Sequence, residues 1–173
     1  DSFQIEIENI DATTIPHIDS IYADAISSGT PPPNANNGSL HLSDQLITSL
    51  TVADVVIIAS PMHNYTVPSS LKSWVDHVVR AAKTFEITAD GKHGLLDDKP
   101  VYILVSAGGM FTGENASQPD FFTPYMKEVL TTVGLESVFF FTIEGTASNK
   151  DAVRQRIESV QSQVSEHLAR TQQ

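Results

Sequence analysis

The sequence predicts a doubly wound α/β fold, a parallel sheet held between helical layers. Three observations carry that expectation. Strand-length apolar runs alternate with helix-period segments along the 173 residues, the order that builds parallel sheets through crossover helices. One run, Val55-Val56-Ile57-Ile58-Ala59, is β-branched and lacks polar alternation, the pattern of a strand covered on both faces. Two of the runs end in turn-forming loops, Ser60-Pro61-Met62-His63-Asn64-Tyr65 and Ser106-Ala107-Gly108-Gly109-Met110. In such a sheet these loops would lie side by side along the carboxyl edge, where ligands bind.

The elements follow in order. Residues 3–7 alternate apolar and polar side chains, as in a strand near a sheet edge. Residues 17–26 place Ile18, Ile21, Tyr22 and Ile26 at helical spacing. Residues 28–39 contain three consecutive prolines and Asn36-Asn37-Gly38, a surface loop. A helix with Leu42, Leu46, Ile47 and Leu50 on one face leads to the strand at Val55. After the first strand-end loop, Pro68 opens a helix, since its missing N–H is one that the first turn leaves unpaired anyway. Its apolar stripe runs through Val67, Leu71, Trp74, Val75, Val78 and Ala82.

Residues 84–88 followed by Asp90-Gly91 suggest a hairpin. A strand at residues 101–105 and a helix at residues 121–133, closed by Gly134, come next. A strand at residues 137–143 and a final amphipathic helix at residues 151–169 complete the chain.

Composition bounds the function. The length suits one domain, residues 1–173, with a substantial core. A hydrophobic fraction of 40% and a charged fraction of 18% are those of a globular protein. The formal net charge of −11 argues against nucleic acid, which needs a basic stripe. No apolar run reaches the roughly 20 residues that span a bilayer, and the first residues lack the pattern of a signal peptide. The expected location is the cytoplasm. The absence of cysteine rules out disulfides and thiolate metal sites. The histidines lack metal-binding spacing, so no metal is expected.

Pro61, Met62, His63, Asn64 and Tyr65 offer backbone donors, an amide and an aromatic ring at the mouth of the sheet, a set suited to a planar heteroaromatic ligand. Gly108 and Gly109, without Cβ atoms, allow a second backbone to approach it. The bland alternative is a pair of ordinary sheet loops. Asp76, His77 and Arg80 invite a catalytic or metal reading, but helical spacing sets Asp76 beside Arg80 at i,i+4, a structural pair. Trp74, Val75, Val78 and Val79 suit a core stripe, a dimer face, or both. Phe121 and Phe122 read as core, with an aromatic near Phe111 as a candidate pocket wall.

The stretch PMHNYTVPSSLKSWVDHVVRAAKTFEIT, with DGKHGLL, VYILVSAGG and TPYMKEVLTTVGLESVFFFTIEG, resembles the FMN-dependent NADH:quinone reductases and azoreductases, whose fold is flavodoxin-like, a three-layer α/β/α sandwich. The resemblance implies noncovalent FMN, NADH or NADPH as donor, a homodimer, and ping-pong transfer of two electrons to quinones or azo compounds. By position it places Pro61, Met62, His63, Asn64 and Tyr65 around the isoalloxazine ring, with Ser106, Gly108 and Gly109 at its far edge. The cofactor carries the chemistry, so no side chain is required as a nucleophile.

His63 stands where the family usually has Tyr or Trp. It is a candidate proton donor to a bound quinone, against a bland role in stacking. Ala107 and Ile87 replace an Arg and a substrate-facing Tyr of some members, which bears on substrate range. The family's first strand, phosphate loop and first helix have no counterpart here, residues 3–7 aligning with its second strand. A longer parent chain is therefore expected. The rival readings are a flavodoxin-type electron carrier, against which the 85–95 excursion counts, and a flavin-free fragment.

Overall fold

The structure is a computed structural model and describes residues 4–28 and 38–171. Along the chain run α1 (Ser20–Ser28), α2 (Gly38–Val52), β1 (Val56–Pro61), α3 (Ser69–Val78), β2 (Phe85–Thr88), β3 (Gly91–Gly94), β4 (Val101–Ser106), α4 (Thr123–Val133), β5 (Val138–Ile143) and α5 (Lys150–Thr171). Strands β1, β4 and β5 form a parallel sheet in the order β1-β4-β5. Strands β2 and β3 form a separate antiparallel hairpin.

The central strand explains the layering. Val101, Ile103 and Val105 of β4 are fully buried on one face. They join Leu46, Ile47 and Leu50 of α2, Leu71, Trp74, Val75 and Val78 of α3, and Met126, Leu130 and Val133 of α4 in one cluster. Each such side chain contributes about 2 kcal/mol, more than an exposed ion pair such as Lys72–Asp76. The alternate residues of β4 face the other way. There Tyr102 joins Phe139 and Phe141 of β5 around the imidazole of His167 on α5, with ring centroids 5.7, 4.4 and 5.8 Å from it. Helices thus cover both faces, as expected of a three-layer α/β/α fold.

The helix ends place the loops. Helix α4 closes in a Schellman motif: Gly134 takes φ 102°, its N–H reaches Thr131 O at 3.0 Å and Leu135 N–H reaches Leu130 O at 2.9 Å. Helix α3 ends at Val78, where the Thr84 hydroxyl donates to Val78 O at 2.7 Å and accepts from Arg80 N–H at 3.0 Å. Asp19 caps two helices at once, accepting from Tyr22 N–H at 2.7 Å and from Ser39 N–H at 3.0 Å. Those bonds hold the Asp19 carboxyl below its ordinary pKa, the Ser39 amide contributing most. Among the described residues no helix is long and apolar enough to cross a membrane.

Several expectations need correction. Residues 4–10 form no strand, and Ile5 and Ile7 are more than four-fifths exposed. Alternation is only half of a strand, and among the described residues no strand lies beside these to complete the ladder. Phe3 lies outside the described residues, as do residues 29–37 of the proline-rich segment; Ser28 closes α1 and Gly38 opens α2. Strand β1 is not covered on both faces, since Ile57 is 69% exposed; among the described residues it pairs only with β4. Pro68 is the N-cap residue of α3 and precedes its first turn.

The stripe expected to reach Ala82 stops four residues earlier, and Ala82 sits in a turn at φ 63°. Because the helix has ended, Arg80 does not pair with Asp76. It donates to Asp44 and Ser43 of α2 at 3.0 and 3.2 Å, while Asp76 pairs with Lys72.

Candidate functional site

Register brings the two strand-end loops together. Pro61 is paired with Ser106 at the last rung between β1 and β4, and beyond it Met62 N–H donates to Ser106 O at 2.7 Å. All eight residues named for the site, Pro61, Met62, His63, Asn64, Tyr65, Ser106, Gly108 and Gly109, therefore share one corner of the carboxyl edge.

The first loop is a two-residue hairpin. His63 N–H donates to Thr66 O at 2.9 Å and Thr66 N–H to His63 O at 3.0 Å. Asn64 and Tyr65 between them take φ 48° and 72°, the left-handed pair of a type I′ turn. Asn adopts that region readily; Tyr does so at a cost of about 1 kcal/mol. The surroundings hold it there, since Tyr65 O accepts from Phe121 N–H at 3.0 Å and Thr66 Oγ1 donates to Phe121 O at 3.4 Å. The turn leaves His63, Asn64 and Tyr65 exposed and Met62 half-buried.

The second loop is set by the chain leaving β5. Gly145 N–H donates to Gly109 O at 3.1 Å and Thr146 N–H to Ala107 O at 2.9 Å. Between them Glu144 is buried and accepts from Phe111 N–H at 2.7 Å, Thr112 N–H at 3.2 Å, the Thr112 hydroxyl, and the Thr142 hydroxyl at 3.3 Å. Burial alone pushes the Glu144 carboxyl up. The four hydrogen bonds together, that from the Thr112 hydroxyl contributing most, outweigh it and hold the group below its ordinary value. The site thus rests on a buried carboxylate that anchors the start of the 110–119 loop.

Gly108 and Gly109 differ in what they leave open. A Cβ on Gly109 would overlap Gln118 Oε1, so that space is filled from within the chain. A Cβ on Gly108 would meet only Ala147 Cβ at 3.7 Å, and Gly108 is exposed. Its backbone is bare toward the outside, which suits close approach by a bound ring.

Phe111 itself, near which an aromatic pocket wall was expected, belongs to the core at 6% exposure. Phe121, read as core, is instead 57% exposed, with its N–H bonded to Tyr65 O. Phe122 is fully buried as expected. Trp74, Val75 and Val78 are core, with Val79 half-buried at its margin. Sequence reasoning missed Gln118 and Glu144. A carboxylate directly after an apolar strand, at the carboxyl edge and before a glycine, was the available signal for Glu144. Gln118, in a polar loop, carried none.

Helices on both faces of a parallel sheet, with paired loops at its carboxyl edge, define a flavodoxin-like α/β protein. Residues 1–168 match the family described as having a flavodoxin-like fold. The chain is 40% identical over 157 residues to FMN-dependent NADH:quinone oxidoreductase 4 of Pseudomonas fluorescens, covering 91% of this chain and 75% of that protein. It is 44% identical over 139 residues to FMN-dependent NADH:quinone oxidoreductase 5 of Burkholderia lata, covering 80% of this chain and 67% of that protein.

The azoreductase of Bacillus anthracis has the same fold, with a TM-score of 0.77 at 22% identity over 91% of this chain and 78% of that one. The chain belongs to the flavodoxin-like family, and within it to the FMN-dependent NADH:quinone oxidoreductases. The bare backbone at Gly108 and the exposed residues 63–65 of the turn fit the ring end of such a cofactor.

Proposed function

We propose that this chain is an FMN-dependent NADH:quinone oxidoreductase that also reduces azo compounds. The observation that supports it best is the stitched pair of loops, in which bare backbone at Gly108 faces the same corner as the Asn64-Tyr65 turn. When bound, FMN supplies the two-electron exchange between NADH or NADPH and a quinone or azo acceptor, in ping-pong order.

The protein's part is to seat the ring and define the face on which donor and acceptor alternate. Pro61, Met62, His63, Asn64 and Tyr65 hold one side of the ring, and Ser106, Gly108 and Gly109 its far edge. Tyr65 and Phe121, both exposed and joined through their backbones, offer apolar surface to a planar acceptor. His63, exposed and without a side-chain hydrogen bond among the described residues, would stack on the ring or give a proton to a reduced acceptor.

We also propose a cytoplasmic homodimer. Its support is a cavity of about 330 Å³ beside α3, lined by Ile18, Tyr22, Val79, Tyr125 and Val129, apolar surface that a second copy could cover.

The test is spectroscopic. The purified protein, supplied with FMN, should retain a flavin absorbance that bleaches under NADH without oxygen and returns on adding a quinone or an azo dye. A protein that stays colourless with added FMN defeats the proposal. Redox titration separates it from an electron carrier, which would show one-electron steps.

A further inference from the structure

Gln118 joins the two halves of the site. Its Nε2 donates to Met62 Sδ at 3.2 Å, reaching the first loop. On its other side the carboxamide lies over the bare Cα of Gly109 in the second loop, where a Cβ would come within 3.0 Å of Gln118 Cδ and overlap Oε1.

The side chain is presented from a fixed backbone. Ser117 and Gln118 N–H groups both donate to Met110 O, at 2.8 and 3.2 Å. Just beyond, the Asp120 carboxylate accepts from Phe122 and Thr123 N–H groups, both at 2.9 Å, and starts α4.

The amide's hydrogen-bonding capacity is poorly spent. A thioether is a weak acceptor, and Oε1 accepts no hydrogen bond among the described residues. A half-buried carboxamide whose unused acceptor and second N–H remain open to solvent can give both to a bound ligand in place of water. Purely apolar packing between Met62 and Gly109 would be served as well by methionine or leucine. The groups left over, one acceptor beside one donor, match a planar ring edge carrying C=O and N–H groups.

We infer that Gln118 is a third arm of the ring site, its carboxamide hydrogen-bonding the carbonyl or imide edge of a planar ring seated between the two loops. The inference rests on the proposed function. The chemistry is shared by the dione ring of the flavin and by a quinone acceptor.

The experiment uses the whole chain and the substitution Gln118→Met, which keeps length and soft packing against Met62 but removes the amide. FMN affinity is read from quenching of flavin fluorescence, without acceptor. The KM for a simple benzoquinone is read at saturating FMN. A loss of about tenfold in FMN affinity assigns the amide to the flavin. A comparable rise in KM with FMN affinity unchanged assigns it to the acceptor. Either result supports the inference, since a structural clip would leave both within about twofold.

Wild-type protein that binds FMN and a Q118M variant matching it in both readouts overturn the inference alone. Wild-type protein that binds no FMN overturns the functional reading and this inference with it. If Q118M melts well below wild type, Gln118→Glu, with the same shape and no N–H to give, replaces it under the same criteria.

Discussion

The N–H of Met62 donates to the carbonyl of Ser106 at 2.7 Å, one residue past the rung that pairs Pro61 with Ser106. The parallel ladder therefore runs on into the loops. The gap between the two halves of the site is set by strand spacing, about 4.8 Å, rather than by side chains. This separates two substitutions. Ser106→Ala keeps the carbonyl, and the Ser106 hydroxyl makes no hydrogen bond among the described residues. It should change stability by no more than about 0.5 kcal/mol. Met62→Pro removes the donor and leaves Ser106 O unpaired, at a cost of about 1–3 kcal/mol, and should abolish flavin retention. Urea denaturation and flavin absorbance check both.

Glu144 predicts a pH dependence. Its carboxyl is depressed in the folded chain, so on acidification the unfolded chain takes up the proton first. The stability it contributes is complete above the unfolded value, near 4.5, and is lost as pH falls through the lower folded value. Glu144→Gln should cost about 2 kcal/mol at neutral pH, because the Phe111 and Thr112 donors lose a charged acceptor. The fall in urea midpoint between pH 7 and pH 4 should be smaller in the variant, other acids supplying the remainder. A variant with the same acid sensitivity as wild type would show that Glu144 carries none of it.

How far these features could be read from the sequence depended on the range of the forces behind them. The order of elements from Gly38 to Thr171, the β2–β3 hairpin, the Gly134 cap and the adjacency of the two loops were legible, because each follows from local periodicity, turn chemistry or strand order. Of the strand expected at residues 3–7, the described residues 4–7 were misread because alternation says nothing about the presence of a partner strand. Arg80 was misread because α3 stops at Val78, held by Thr84 from beyond the helix. The eight site residues came from the two loops and the family resemblance. Gln118 and Glu144 act across 56 and 33 residues of sequence respectively, and no local pattern announces such contacts.

The hairpin depends on two glycines that touch. A Cβ on Gly94 would overlap the backbone nitrogen of Gly134, and the neighbouring Leu96 N–H donates to Val133 O at 3.1 Å. Backbone cannot step aside as a side-chain end can. Gly94→Ala should therefore cost about 3 kcal/mol, at the upper end for overpacking, and lift β2 and β3 from the end of α4. Thermal unfolding gives the cost, and faster amide exchange confined to residues 84–96 would locate it. An undisturbed hairpin with full stability would contradict the packing described.

The paired glycines of the second loop separate folding from binding. At Gly108 an added methyl meets only Ala147 Cβ, at an ordinary 3.7 Å, and φ lies outside the left-handed region. Gly108→Ala should leave the melting temperature within about 1 °C, an effect under roughly 0.5 kcal/mol. Its methyl would nonetheless occupy the face left open to a ring, so FMN affinity should fall at least about tenfold. Gly109→Ala works differently, since its methyl collides with the movable end of Gln118. It should weaken binding by expelling that amide, and a second substitution, Gln118→Ala, should then add little. The coupling in a double-mutant cycle should exceed about 1 kcal/mol, as expected for residues in direct contact. Additive effects at Gly109 and Gln118, or full FMN affinity in G108A, would place the ring elsewhere on the carboxyl edge.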